Sequence, residues 1–200
     1  MFTFGLKRTY LQLNKLKNFR NHSSVSRGVQ VFVKKNLLLT NSITSGAFMA
    51  LGDLVEQEVE IRRGLTTAYD WTRIGHMFTV GTLLGPLHHY YYVGLDKLIP
   101  KVSVKTVLVK ILCDQTIAGP LTIVCFYYGM GLLESKPLEV CTDELKKKFL
   151  TTLVGDFIYW PPIQFINFYY LPTHYRVIYI NAATMLFNVF LSYMKHYDQK

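Results

Sequence analysis

Acidic side chains are missing from the first 52 residues, Asp53 being the first. Lys7, Arg8, Lys15, Lys17, Arg20, Arg27, Lys34 and Lys35 occupy that stretch, which therefore holds most of the formal net charge of +9. Charge gathered in one arm excludes a basic face spread over a nucleic-acid-binding domain, and no direct DNA binding is expected. Phe2, Leu6, Tyr10, Leu13 and Leu16 fall on one helical face of the arm and Lys7, Arg8 and Lys15 on another. Residues 1–35 thus fit a basic mitochondrial targeting arm. An arm that binds anionic lipid or ribosomal RNA is the competing reading. A secretory apolar run is also absent before Asn36, so the sequon Asn21-His22-Ser23 reads as chance.

Cysteine is scarce. Cys113, Cys125 and Cys141 are odd in number and widely spaced, which excludes a disulfide framework and a zinc motif. The chain also lacks a Gly-x-Ser-x-Gly elbow, a phosphate-binding P-loop, a dinucleotide fingerprint and a Cys pair. No catalytic, cofactor-binding or metal-ligating residue is assigned, and no cofactor is expected. An intramembrane hydrolase built from Asp53, Asp114, Asp156 and His89 is the weakest of the readings considered. His88 and His89 invite a metal, but neighbours on a helix point about 100° apart, and no ligand-type residue follows at i+4.

Long apolar runs are what the chain has instead: 50% of it is hydrophobic and only 18% charged. This predicts an all-α fold, a multi-span transmembrane helix bundle of about four spans with additional amphipathic helices, as one domain over residues 36–195. In the first run, 36–57, Ser42, Gly46 and Ala50 repeat every four residues and lead to Asp53, so a small-residue groove ends at a buried carboxylate. A charged loop follows over 58–70. The second run, 71–95, carries the step Gly81 to Gly85, then Pro86, expected to disturb the helix just before His88. Lys97, Lys101 and Lys105 mark the next loop, which the positive-inside rule puts on the same side as the arm. The third run, 104–133, holds Lys110 and Asp114 at a spacing that lets them pair, beside Gln115. A polar link is expected over 134–148, with Lys146, Lys147 and Lys148 as a solvated helix start or a lipid-phosphate contact.

A fourth run spans 149–171 and a fifth 176–194. At 100° per residue, Asp156, Trp160, Gln164 and Asn167 lie at about 0°, 40°, 80° and 20°, one polar stripe on an otherwise apolar helix. Pro161 and Pro162 remove two backbone donors and free the carbonyls of Phe157 and Ile158, which should bend the axis. Asp53, Asp114, Asp156, Gln164 and Asn167 are therefore the candidates for a polar bundle core or a pore. Gly46, Gly81, Gly85, Pro86, Pro161 and Pro162 are the candidates for packing and kinks. Gln164 and Asn167 read first as interhelical fasteners and second as lining a solute path.

Trp160-Pro161, Gln164, Asn167-Phe168, Pro172, Arg176, Asn181, Asn188 and Leu191-Ser192 resemble the C-terminal signature of the Mpv-seventeen and peroxisomal twenty-two-kilodalton membrane protein family. Gly52-Asp53, Gly85-Pro86, His89, Tyr92, Asp114-Gln115 and Pro120 are similar to further family positions, and the Glu60-Ile61-Arg62 tail resembles its like-protein-two branch. Phe157 and Phe187 stand where tryptophan is common. The resemblance implies a non-enzymatic protein of the mitochondrial inner membrane, with the peroxisomal membrane as the alternative. It implies support of mitochondrial gene expression, through ribosome assembly and translation or mitochondrial DNA maintenance. The implied partners are the lipid bilayer, the mitochondrial ribosome or its assembly factors, and a second copy of the chain. A non-selective small-solute channel is the alternative function.

Overall fold

The computed structural model describes residues 37–100, 103–170 and 173–197, and the basic arm lies outside them. Those residues are all-α: α1 Leu37–Arg62, α2 Trp71–Leu98, α3 Val104–Cys113, α4 Gly119–Leu133, α5 Leu138–Tyr169 and α6 Thr173–His196. A π-helical turn over Asp114–Ala118 joins α3 to α4, so Val104–Leu133 is one rod of 30 residues. The turn follows from Pro120. Proline has no N–H to give the carbonyl of Thr116, and the Gly119 N–H instead reaches back five residues to the Asp114 carbonyl.

Local chemistry sets the ends. Asp70 caps α2 by accepting from the Arg73 N–H at 3.0 Å. Ser103 and Thr106 form a capping box at the start of α3. α1 stops where Gly64 takes φ +70°, and the Leu65 N–H returns to the Glu60 carbonyl at 2.9 Å. At the end of α4 the left-handed position falls to Ser135 (φ 56°), with the Lys136 N–H on the Gly131 carbonyl.

The rods alternate in direction, since contacts between neighbours run in opposite order along the chain. Asp53 meets Arg73, Tyr92 meets Asp114, Gln164 meets Asp114 and Lys148 meets the Lys195 carbonyl. α1 and α2 touch backbone to backbone. A β-carbon on Gly81 would come 2.8 Å from Gly46 Cα, one on Gly85 would overlap Ser42 Cα, and one on Gly46 would overlap the Thr82 hydroxyl. Met49, Met77, Val80, Phe126, Tyr127 and Phe187 fill the centre.

Two expectations are corrected here. Residues 134–148 are not a polar link: α5 begins at Leu138 and runs unbroken for 32 residues. Cys141, Leu145, Lys148 and Thr152 recur at helical spacing and pack inward, leaving Asp143, Lys146 and Lys147 on the wet face. Lys148 is accordingly no lipid-phosphate contact, being 1% exposed. α2 continues as one helix through Pro86 and α5 through Pro161 and Pro162.

Polarity is distributed inside out. Asp53, Gln57, Glu60, Gln115, Asp156, Gln164, Asn167 and Lys195 are buried, while Leu39, Leu83, Leu112, Leu150, Ile158 and Leu186 are each more than half exposed. Water would reverse that arrangement. Among the described residues one helix, Val104–Leu133, is long and apolar enough by length and composition to cross a membrane, with a mean hydropathy of 1.5.

Candidate functional site

The polar interior has two parts. Near the ends of α2 and α5, the π-turn brings Asp114 against both helices. Asp114 Oδ2 accepts from the Tyr92 hydroxyl at 3.0 Å and from Gln164 Nε2 at 3.3 Å. Asp114 Oδ1, Gln115 Oε1, Gln164 Oε1 and Asn167 Oδ1 are buried with no hydrogen-bond partner among the described residues. Asp156, two to three turns earlier on α5, is 5% exposed and lies over α4 at Gly119, where a β-carbon would sit 2.8 Å from its Oδ2. Glycine at 119 is what admits that carboxylate. Trp160 leaves the polar stripe and joins Tyr159 and Phe187 in edge-to-face contacts of 5.5 and 5.4 Å.

The second part closes the end of the bundle where α2 begins and α6 ends. Arg73 Nε lies 2.7 Å from Asp53 Oδ1, its Nη1 3.0 Å from Glu60 and its Nη2 2.7 Å from the Ser192 hydroxyl. Ser192 in turn donates to Asp53. One guanidinium thereby fastens α1, α2 and α6. Gln57 extends the network, donating to Asp53 at 2.8 Å and accepting from the Asp70 N–H at 2.6 Å. Nearby, Lys195 Nζ lies 2.7 Å from Glu144 and 3.2 Å from Glu134, while Lys148 Nζ donates to the Lys195 carbonyl at 2.6 Å. Burial pushes the Glu134 carboxyl up, but His196, Lys136 and Lys195 around it prevail and hold it down at about 2. Lys136, 2.8 Å from Glu134, is raised in return against its partial burial. A cleft of about 360 Å³ separates the two networks, bordered by Glu60, Arg73, His76, Glu134, Lys136 and His196.

The remaining candidates are placed as follows. Gly46, Gly81 and Gly85 lie in the α1–α2 contact. Asn188 is 4% exposed and faces α1, where a β-carbon on Gly52 would come 2.5 Å from its Cβ. Pro172 and the side chains of Phe168 and Arg176 lie outside the described residues. The two histidines diverge, His88 to Thr122 at 2.9 Å and His89 toward Asn41 at 3.4 Å. Among the described residues no three His, Cys, Asp or Glu side chains gather as a metal site. Sequence reasoning missed Arg73, Lys148 and Lys195. An arginine one turn into a helix that follows a charged loop reads as solvated, and the one available signal was the unbalanced Asp53 on the facing helix.

Carboxylates, amides and ammonium groups turned inward, with leucine, isoleucine and phenylalanine turned outward, define a helical membrane protein. Residues 131–192 match the Mpv17 / PMP22 family. PXMP2/4 family protein 4 of Dictyostelium discoideum is 36% identical over 156 residues, 78% of this chain and 84% of that one. Mitochondrial inner membrane protein Mpv17 of Bos taurus is 32% identical over 155 residues, 77% of this chain and 88% of its own. Protein SYM1 of Eremothecium gossypii is 31% identical over 159 residues, 77% of this chain and 86% of its own. No solved structure matches. The chain belongs to the Mpv17 / PMP22 family and is a membrane protein of the mitochondrial inner membrane.

Proposed function

We propose that this chain is a multi-span, non-enzymatic scaffold of the inner membrane that supports mitochondrial gene expression, with residues 1–35 as its import arm. Alternating rods with apolar outer faces favour several crossings. Helices other than Val104–Leu133 fall short in hydropathy because of charges such as Asp53, Glu60, Lys148 and Asp156, and those charges face inward. The observation that carries the scaffold reading is the spending of buried polar groups on helix-to-helix bonds, above all the Arg73 guanidinium shared by three helices. The Ser192 hydroxyl is likewise given over to Asp53. The link to ribosome assembly, translation or mitochondrial DNA maintenance rests on the family resemblance. Its partners would be the bilayer, the mitochondrial ribosome or its assembly factors, and a second copy of the chain.

Depletion should lower pulse-labelling of mitochondrial translation products. The full chain should restore it, and a chain starting at residue 36 should stay outside the organelle and fail to. Normal labelling in depleted mitochondria would sink the gene-expression reading.

The partnerless buried oxygens of Asp114, Gln115, Gln164 and Asn167 favour a second reading, a small-solute path through the bundle. That reading requires conductance by the purified protein in a planar bilayer, with ion preference altered by Asp156→Asn.

A further inference from the structure

We propose that the groove along the outer face of α1 binds one acyl chain of an anionic glycerophospholipid, whose phosphate is held by Arg62 at the groove's mouth. Leu51, Leu54, Val55 and Val59, with Met185 of α6, line about 330 Å³ of space, and Glu58 and Arg62 border it at the end of α1. The α1 residues recur at steps of three and four, so they share one helical face. Leu51 and Val55 are 44% and 43% exposed, and the groove therefore opens outward. The close packing of α1 uses its other faces, Gly46 against α2 and Gly52 against Asn188 of α6.

The occupant follows from depth and charge. From Leu51 to Arg62 the axis rises about 16 Å, half of a hydrocarbon core about 30 Å thick, so the groove is as long as one leaflet. Tyr69 and Trp71 mark the headgroup level at this end: Trp71 is 70% exposed, the two rings lie 6.1 Å apart, and the Tyr69 hydroxyl donates to Glu58 at 2.5 Å. An acyl chain that enters beside Arg62 runs down the apolar wall toward the midplane. Glu58 is already met, by Tyr69 and by Arg62 Nε at 2.7 Å, whereas the terminal guanidinium nitrogens of Arg62 have no partner among the described residues. Those nitrogens form a planar fork that suits a phosphate. Arg63 beside it is exposed, so two positive charges stand against the one of Glu58, and a headgroup of net negative charge is favoured over a zwitterionic one. This inference rests on the multi-span reading, in which α1 lies in the bilayer.

The test is lipid binding to the delipidated full chain in detergent, read by native mass spectrometry. Dioleoylphosphatidylglycerol and dioleoylphosphatidylcholine share their chains and differ in headgroup charge. The anionic lipid should bind about fivefold more tightly, the effect of one basic residue near an anionic headgroup. Arg62→Ala, at an exposed side chain that the fold does not need, should erase the preference, and Lys146→Ala at another exposed position should keep it. Val55→Trp fills the groove and should weaken both lipids; if it does not fold, Arg62→Ala decides. Soluble glycerol 3-phosphate should not displace the lipid. Equal binding of the two lipids, a preference that survives Arg62→Ala, or displacement by glycerol 3-phosphate overturns the proposal. The membrane position of α1 is checked separately in liposomes by Ile43→Trp, at a 49% exposed position on its outer face, whose emission brominated phosphatidylcholine should quench beyond the wild-type level. Without that quenching the multi-span reading fails and takes the proposal with it, whereas quenching without a lipid preference overturns the proposal alone.

Discussion

Arg73 Nε lies 2.7 Å from Asp53 Oδ1, on a carboxylate that is 0% exposed, and the pair spans the turn between α1 and α2. Its geometry is set from both sides. The Asp70 cap fixes where α2 begins, and Gln57 grips the backbone of Asp70 while donating to Asp53, so the hairpin register and the ion pair specify each other. The remaining guanidinium donors go to Glu60 and Ser192, leaving few unpaired charges at this closed end.

Removing Arg73 should therefore cost far more than removing a cation at the surface. Arg73→Ala strands two buried carboxylates, a loss of about 3–5 kcal/mol for a broken buried pair. Arg73→Lys keeps the charge but loses the fork, and should fall between the two. Arg62→Ala, whose side chain is 77% exposed beside Glu58, should leave the thermal midpoint in detergent nearly unchanged. Equal midpoints for the two alanine variants would refute the locking role.

How far the sequence foretold this interior depends on whether the signal was periodic. The helical spacing of Asp156, Gln164 and Asn167 placed them on one face, and all three are buried. Ser42, Gly46 and Asp53 likewise pointed to a close contact ending at a carboxylate. Partners from distant segments carry no such period. Arg73 and Lys195 read as ordinary charges near helix ends, and only folding brings them to Asp53 and Glu144. Lys148 was hidden in a run of three lysines, where just one of the three angles faces the core. The π-turn was illegible for another reason: Pro120 was noted, but its missing donor is resolved by widening the helix, one of several responses open to the backbone.

The glycines separate close packing from mere helix cost. At Gly85 a side chain meets the backbone of Ser42, which cannot yield without moving α1, whereas a β-carbon at Gly94 has nothing within 4 Å. Gly85→Ala should destabilise the protein and Gly85→Leu should do so more severely. Gly94→Ala should be neutral or stabilise by about 0.5–1 kcal/mol, the ordinary gain of alanine over glycine within a helix. Leu83→Ala, at a 68% exposed position, is the control for a change on the outer face. Thermal midpoints in one detergent decide the matter, and a Gly85→Ala midpoint matching that of Gly94→Ala would remove the α1–α2 contact from the account.

Glu134 gives the bundle an acid-sensitive fastening. Its folded carboxyl is held at about 2 against an ordinary value of 4.5, because Lys136 at 2.8 Å, Lys195 at 3.2 Å and His196 at 3.7 Å outweigh the burial that pushes it up. A depressed carboxyl stabilises the folded state fully above its unfolded value and loses that contribution as pH falls through its folded one. The stability from this group is on the order of 3 kcal/mol at neutral pH, and it should decline between about pH 4.5 and 2. Glu134→Gln removes the charge at constant shape, leaving Lys195 and Lys136 to share Glu144. The variant should be well below wild type at pH 5, and the gap should narrow steadily toward pH 2.5. Carboxylates elsewhere titrate in both proteins and cancel in the difference. Unfolding midpoints in detergent across that range are the measurement, and a gap that stays constant with pH would show that Glu134 acts by shape and not by charge.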